Sequence, residues 1–399
     1  MTLPELTAWV RSADQPAYRA KQIFQALYRR GASSSEQMPE LPKPLREKIA
    51  SDFLTTSLQK ADLQKSSDGT LKLLSKLVDG RLVETVLIPA KARNTVCVST
   101  QVGCAYACAF CASGQAGFER NLTPGEIVQQ ILLVQQSLQA ATSGVGFSGR
   151  LSRPASRTAL SVHPRSPSLS LGNRARSDSR FPSNPTSLAR PSETSKELGS
   201  RRITNIVFMG MGEPLANYDN LLKAVRILND PEGLKIGARK ITVSTVGLVP
   251  MIHRLIGEGL QVELAISLHA PNDPIRKKLM PVNTKYPLSQ LIPAVRTYIA
   301  ATNRVVTFEY ILIDGINDGL DEAKELAELL KGMPAKVNLI PCHPTPNTPW
   351  KHPPMGRMIA FEQILREKRI RCSLRRSRGL DIDGACGQLR LRKLQGDAA

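Results

Sequence analysis

Three closely spaced cysteines are the residues of this chain best suited to chemistry. Cys104, Cys108 and Cys111 have the spacing C-x3-C-x2-C. Three thiolates on one short loop can bind three irons of a 4Fe-4S cube, which leaves the fourth iron open to a substrate or cofactor. A zinc site is the main alternative. Zinc ligands more often come as two C-x2-C pairs or with histidines, and the sequence contains no second pair.

A glycine-rich turn and two isolated cysteines are further candidates. Residues 210–214 read Gly-Met-Gly-Glu-Pro, where glycines let the backbone approach a ligand closely and Glu213 can accept a hydrogen bond from an ammonium group. Cys386 stands between glycines, in a context that favours an exposed reactive thiol. Cys97, taken alone, fits a small core residue of a strand, and Glu84, taken alone, fits a surface charge.

The elements that must position these residues alternate along the chain. Strands are predicted at Thr95–Ser99, Asn205–Met209, Ile241–Thr245, Val262–Leu268, Val305–Ile313 and Lys336–Ile340. Helices predicted between them include Thr123–Leu138, which starts with a capping box, and Leu320–Lys331, which is followed by a glycine. This alternation predicts an α/β fold with a parallel sheet, open or barrel-like. In a βα-barrel the functional residues lie at the C-terminal ends of the strands.

The rest of the chain divides by composition. Residues 1–60 are predicted to form a small helical accessory domain with a basic face, and 61–94 a β-rich connecting segment. Residues 95–390 would form the barrel domain and 391–399 a tail. The stretch 143–202 holds fifteen serines, six prolines and eleven basic against three acidic residues, so it carries +8. We expect it to be a disordered insertion, since it has little apolar surface to bury.

Overall composition narrows the class of protein. The chain has 399 residues, 41% of them hydrophobic and 22% charged, which is ordinary for a globular protein. We see no candidate membrane span and no signal peptide, and therefore expect a cytoplasmic protein. The net charge of +20 favours a polyanionic partner such as nucleic acid, although it could serve solubility alone.

Several long motifs resemble one family. They are the run from Thr95 to Cys104, the run from Gly117 to Leu122, the run from Val207 to Leu215 and the run from Arg376 to Leu389. Together with the C-x3-C-x2-C loop, these resemble the RlmN/Cfr family of radical S-adenosylmethionine (SAM) RNA methyltransferases. The likeness covers nearly the whole chain except the insertion. It implies a radical SAM partial (β/α)6 TIM-like barrel with a small N-terminal helical accessory domain that binds RNA.

The resemblance also implies an activity. It is methylation of carbon 2 of adenosine 2503 in 23S rRNA, and of adenosine 37 in tRNA. The cofactors implied are a 4Fe-4S cluster on Cys104, Cys108 and Cys111, and two SAM molecules per turnover. Cys386 would carry a methyl group and form a transient adduct with the RNA. Glu84 would take the ring proton, and Cys97 would release the product by forming a disulfide with Cys386. We expect a monomer that relies on a cellular electron donor.

Residues that contact SAM are also implied by the family's pattern. They are Gly212, Glu213, Ser244, Ser267, Leu268 through its backbone, and His269. One position departs from the pattern: the family usually has an asparagine that contacts SAM where this chain has His343. An imidazole can still form a hydrogen bond there, but its ring is larger.

Two rival functions stay open at this point. The nearer one is the carbon 8 methylation of the same rRNA adenosine, which shares all of these cysteines. The other is a non-catalytic iron–sulfur or zinc RNA-binding protein.

Overall fold

The N-terminal residues fold into three short helices. The computed structural model describes residues 1–142, 202–343, 350–375, 379, 381–382 and 388–396. Helix α1 spans Leu3–Ser12, α2 spans Tyr18–Gln25 and α3 spans Lys43–Asp52. The chain continues past α2 in a π-helical turn that ends at Gly31, where φ is +76°. Apolar residues at helical spacing, such as Leu6, Val10 and Phe24, are buried and hold the helices together.

Four antiparallel strands follow the helices. They are β1 (Leu58–Lys65), β2 (Leu71–Leu77), β3 (Leu82–Ala90) and β4 (Arg93–Cys97). The remaining elements, in chain order, are β5 (Gln101–Gly103), α4 (Ala112–Gln115), β6 (Phe118–Asn121), α5 (Pro124–Thr142), β7 (Asn205–Phe208), α6 (Tyr218–Asn229), β8 (Ile241–Thr245), α7 (Val249–Ile256), β9 (Glu263–Ser267), α8 (Asp273–Leu279), α9 (Leu288–Thr302), β10 (Val306–Leu312), α10 (Leu320–Leu329), β11 (Ala335–Pro341), α11 (Met355–Glu367), β12 (Arg371–Leu374) and α12 (Gln388–Gly396).

Ten of these strands form one sheet. Their order is β1-β2-β3-β4-β7-β8-β9-β10-β11-β12, and every pairing from β4 to β12 is parallel. Helices separate the parallel strands from β4 to β12 and cover the sheet, so its strands are buried on both faces, as the consecutive buried residues Leu264, Ala265 and Ile266 of β9 show. Parallel direction brings the C-terminal ends of these strands to one edge, where the predicted site residues collect.

The six predicted barrel strands are present within two residues of their expected bounds. The predicted helices at 123–138 and 320–331 correspond to α5 and α10. Three strands were not predicted: β12, which adds a seventh parallel strand, and the β5–β6 hairpin around the cysteine loop. Strands β1 to β3 continue the barrel sheet rather than forming a sheet of their own.

Some expectations fall outside the described residues. The predicted disordered insertion at 143–202 is one, since only Arg202 of it is described. Most of the predicted C-terminal tail, by contrast, is helical as part of α12. None of the described helices has an apolar stretch long enough to span a bilayer.

Candidate active site

A cavity of about 280 Å³ opens at the C-terminal ends of the parallel strands. One wall is formed by the cysteine loop and the opposite wall by the strand ends. The predicted site residues that line it are Cys104, Cys108, Cys111, Gly212, Glu213, Ser244, Ser267 and His269. Glu309 of β10 and Arg375, which follows β12, also line it and were not predicted. The fold thus gathers most of the predicted metal and cofactor residues around one space.

The β5–β6 hairpin and α4 hold the cysteine loop. The N–H of Cys104 donates to the carbonyl of Gly117 at 2.8 Å, and the N–H of Ala109 donates to the carbonyl of Leu279 at 2.9 Å. Between them Ala107 has a φ of +46°, a left-handed conformation that turns the chain sharply. These bonds fix the loop to two separate parts of the barrel.

The three thiols of this loop are largely withdrawn from water. Burial raises the pKa of Cys104 to about 12, and burial also raises the pKa of Cys108 and of Cys111. Metal binding would therefore have to displace protons from them. Across the described ranges, no three His, Cys, Asp or Glu side chains converge to hold a single metal ion. A 4Fe-4S cube binds each cysteine through a different iron, so three cysteines on one cavity wall fit a cube.

The glycine-rich turn needs its glycines for steric reasons. A Cβ on Gly210 would lie 2.7 Å from the backbone of Val98. A Cβ on Gly212 would lie 2.5 Å from the side chain of Gln101, and Gly212 also has a φ of +96°. The turn places Glu213, which is 2% exposed, at the cavity. Its carboxylate accepts from the N–H of Leu215 at 3.0 Å and of Val246 at 2.8 Å, and burial raises its pKa to about 7.

His269 faces the cavity in a fixed tautomer. Its Nδ1 accepts from the N–H of Ile311 at 3.0 Å, so the ring proton lies on Nε2. Burial, together with the charge of Arg276, lowers the pKa of His269 to about 3, which keeps the imidazole neutral. The ring packs edge-on against Phe110 of the cysteine loop, with centroids 4.7 Å apart. His269 therefore joins the strand ends to the cysteine loop and offers one N–H donor.

Arg276 of α8 ties two strand ends together and was missed by the sequence analysis. Its guanidinium is fully buried and donates to the carbonyls of Val246 at 2.7 Å and Leu268 at 3.2 Å, and to Asn283 Oδ1 at 2.7 Å. Leu268 therefore contributes its backbone to this network and does not line the cavity. No sequence pattern marks a buried arginine whose partners are carbonyl groups.

Glu84 does not line the cavity, and both of its carboxylate oxygens have partners. Its Oε2 lies 2.8 Å from Nζ of Lys72, and its Oε1 accepts from the N–H of Arg390 at 2.7 Å. Both Lys72 and Glu84 are buried, with 0% and 2% of the side chain exposed. Lys72 was not predicted, because a lysine in a strand usually faces solvent.

Cys97 lies on the same sheet face as this ion pair. The register places Lys72, Val86 and Cys97 in one row across β2, β3 and β4. Burial raises the pKa of Cys97 to about 11, and the nearby charge of Lys72 opposes that rise. Cys97 does not line the cavity described above.

Strands β1 to β3 also hold the chain on both sides of Cys386, which lies outside the described residues. In the β1–β2 turn, Asp68 accepts from the N–H of Gly379 at 3.1 Å, and the N–H of Ser67 donates to Asp381 at 2.8 Å. Beyond Cys386, the N–H of Arg390 in α12 is bound by Glu84.

His343 is, with Leu268, one of the two predicted SAM contacts that the structure places outside the cavity lining. It is partly buried after β11, burial lowers its pKa, and it is not part of the cavity lining.

A partial barrel of parallel strands with three loop cysteines and a Gly-Met-Gly-Glu-Pro turn at its C-terminal edge defines the class of radical SAM enzymes. Comparison with known proteins agrees. The radical SAM superfamily matches residues 173–366, and the N-terminal domain of ribosomal RNA large subunit methyltransferases of the RlmN type matches residues 1–54.

Similar proteins narrow the class further. A probable dual-specificity RNA methyltransferase RlmN from Geobacillus kaustophilus is 41% identical, over 98% of this chain and 92% of the relative. One from Roseiflexus castenholzii is 43% identical, over 98% and 94%. The crystal structure of a radical SAM methyltransferase from Sphaerobacter thermophilus has a TM-score of 0.80 and 43% identity, covering 97% of each chain. The chain belongs to the RlmN/Cfr family of radical SAM RNA methyltransferases, which implies a 4Fe-4S cluster, SAM and RNA methylation.

Proposed function

We propose that this protein methylates carbon 2 of adenosine 2503 in 23S rRNA and of adenosine 37 in tRNAs. The observation that carries the proposal is its similarity, over nearly the full length, to proteins named dual-specificity RNA methyltransferases. The cavity supports it, because three cysteines, the Glu213 turn and the serines of β8 and β9 surround one space.

The residues around the cavity have distinct binding tasks. Cys104, Cys108 and Cys111 bind the 4Fe-4S cluster, while Gly212, Glu213, Ser244, Ser267 and His269 surround SAM. Leu268 lies just behind this lining, and its role toward SAM would be through its backbone. Glu213 has carboxylate lone pairs for an ammonium group, and His269 donates from Nε2. His343 stands where the family has its asparagine but lies outside the cavity lining, so its side chain would have to turn toward SAM to take that hydrogen-bonding role. When bound, the cluster and SAM together supply a carbon-centred radical that can remove hydrogen from a methyl group.

The chain's own thiols and carboxylate carry the methyl transfer. Cys386 would take a methyl group from one SAM molecule, and that methyl group would lose one hydrogen atom to the radical that a second SAM supplies. Its carbon would bond to adenine carbon 2, and the adduct would give up one electron to the oxidised cluster and the proton of the ring carbon to Glu84. The Cys97 thiolate would then attack Cys386 sulfur, so a sulfur–sulfur bond forms, the sulfur–carbon bond breaks, and the carbon keeps the electron pair and takes up a proton to become the product methyl group. The resulting disulfide must be reduced by a cellular electron donor before the next turnover.

The position of Glu84 supports its proton-accepting role. It is a buried carboxylate on the same sheet face as Cys97. Lys72 and the backbone N–H of Arg390 hold its two oxygens in a fixed position.

Mass spectrometry of nucleosides tests the proposal directly. rRNA and tRNA from a strain that lacks the gene, with and without the chain expressed, are digested and compared. We expect 2-methyladenosine to appear in both RNAs only when the chain is present. If 8-methyladenosine appears instead, the chain is a carbon 8 enzyme. If neither appears while the purified protein contains iron and binds RNA, the non-catalytic reading holds.

A further inference from the structure

Glu309 places an unpartnered acceptor beside the candidate SAM site. It lies in β10, 4% exposed, and lines the cavity together with Ser267, His269 and Arg375. Its Oε1 accepts from the Asn338 amide at 2.9 Å. Its Oε2 is buried and has no hydrogen-bond partner among the described residues. A buried carboxylate oxygen without a partner costs free energy, so a ligand that donates to it would gain correspondingly.

The surroundings determine which kind of ligand fits. Ser373 donates to Asn338 Oδ1 at 3.0 Å, which favours the amide orientation that donates to Glu309. The register places Glu309 beside Ser267 of β9, and both residues line the cavity. Glu309 can therefore offer Oε2 to an N–H or O–H group of a ligand in the cavity.

We propose that Glu309 is a ligand-binding residue whose Oε2 accepts a hydrogen bond from an adenosine moiety, through a ribose hydroxyl or the exocyclic amine. Acidic side chains bind ribose hydroxyls in other nucleotide sites by this chemistry. Two sources can supply adenosine here: SAM and the target nucleotide of the RNA. This inference rests on the proposed function, since that function brings both into the cavity.

The substitution Glu309→Gln tests the proposal with almost no change in volume. Because Asn338 donates to one side-chain oxygen, the glutamine would turn its amide oxygen to Asn338 and its NH2 group to the cavity. The acceptor thus becomes a donor. The matched control is Glu263→Gln, which makes the same change at the opposite end of the neighbouring strand β9. Iron content and thermal unfolding of each anaerobically reconstituted protein show whether it has folded.

Equilibrium dialysis then measures binding of labelled SAM, and of a short RNA that contains the target adenosine. We expect Glu309→Gln to weaken one of them by about tenfold or more, as for loss of a hydrogen bond to a charged group, and Glu263→Gln to weaken neither. Weaker SAM binding identifies SAM as the donor, and weaker RNA binding identifies the target adenosine. Dissociation constants within about twofold of wild type for both ligands would overturn the inference.

Ligand analogues repeat the test on the unaltered protein. SAM without the 2'-hydroxyl, SAM without the 3'-hydroxyl, SAM without the exocyclic amine, and RNA with 2'-deoxyadenosine or with purine riboside at the target each remove one donor. One of these analogues should bind wild type more weakly than the unmodified ligand does. The same analogue should bind wild type and Glu309→Gln with equal affinity. Equal loss for every analogue in both proteins would contradict a role for Glu309. A wild-type protein that binds no SAM would instead contradict the proposed function, so the two failures are distinguishable.

Discussion

At the scale of single residues, the buried thiols of the cysteine loop make a sharp prediction. Cys104→Ala, Cys108→Ala and Cys111→Ala should each abolish cluster binding, because each removes one of three ligands. Anaerobic reconstitution of wild type should give about four irons per chain. Cys372→Ala is a control that leaves the loop intact. Iron analysis with absorbance spectra decides, and a full 4Fe-4S spectrum in any of the three loop variants would contradict the assignment.

The roles of Cys97 and Cys386 can be distinguished because Cys97 acts after Cys386. Cys97→Ala should trap the enzyme on RNA, since Cys97 acts only after Cys386 has formed the link. Denaturing gels of protein purified from cells should show a covalent RNA species for Cys97→Ala. The double variant Cys97→Ala/Cys386→Ala should show none. If Cys97 were only a packing residue, the single variant would be RNA-free and fully active, because Cys→Ala removes little volume.

The buried neutral imidazole of His269 leads us to expect that the free energy of unfolding depends on pH. Its pKa is about 3 in the folded protein and near 6.5 when unfolded. Below pH 6.5 only the unfolded chain takes up the proton, so stability present above that pH is lost as the pH falls. At pH 5.5 the loss is on the order of 1 kcal/mol. His269→Gln should lose less stability than wild type between pH 7.5 and 5.5 in denaturant titrations. Equal losses in both proteins would contradict the buried neutral imidazole.

The site residues that belong to sequence motifs could be predicted, and the isolated charged residues that the fold buries could not. The cysteine spacing and the Gly-Met-Gly-Glu-Pro turn are visible because ligand geometry demands particular neighbours. Lys72, Arg276 and Glu309 are isolated charged residues in strands or helices, where the usual expectation is exposure. Only the three-dimensional packing shows that each of them is buried.

At the scale of elements, strands β1 to β3 serve as a platform for the stretch that carries Cys386. Asp68 binds the backbone N–H of Gly379 and Ser67 binds the side chain of Asp381 before it, and Glu84 binds the first turn of α12 after it. The sequence predicted these strands but not their connection to the barrel sheet. Pairing between strands is a long-range property that a local pattern does not specify. The unpredicted β12 and β5 have only four and three residues, too short to show a period.

Removing one of these anchors should affect methyl transfer and spare the cluster. Asp381→Ala loses the hydrogen bonds from Ser66 and Ser67, so we expect methylation of Cys386 to fall by about fivefold or more. Iron content should stay unchanged. Mass spectrometry of the Cys386 peptide after incubation with SAM measures the effect. Asp321→Ala, which breaks an exposed ion pair with Lys324, is the control. Unchanged methylation of Cys386 would show that the anchor is dispensable.

At the scale of the whole molecule, some basic residues stabilise the fold through ion pairs and others are available to bind RNA. In the N-terminal helices, Lys21 pairs with Glu232 of the barrel domain and Arg30 pairs with Glu40. These basic residues thus hold the accessory helices in place as well as adding positive charge. Residues 143–202 carry +8 of the total +20, so the rest of the chain still carries +12.

The stretch 143–201 should therefore be dispensable for chemistry. Its two ends enter one small region: the N–H of Ile203 donates to Gln135 of α5 at 3.0 Å, and Thr204 bonds with Asn94. Thr142 is seven residues beyond Gln135 in α5, a distance of about 10 Å. A Gly/Ser linker of about eight residues can span that distance. We expect the shortened protein to keep its cluster and its SAM cleavage.

Two variants distinguish the effect of the charge of this stretch on RNA binding from the effect of its length. Without the ten basic residues of this stretch, fewer phosphates are neutralised, so RNA affinity should fall and depend less steeply on salt. A full-length variant with these residues changed to glutamine should show the same smaller slope, since it keeps the length and loses the charge. Binding titrations at several salt concentrations measure both. A shortened chain that fails to fold would show a structural role for the stretch, and an unchanged slope in both variants would show that it does not contact RNA.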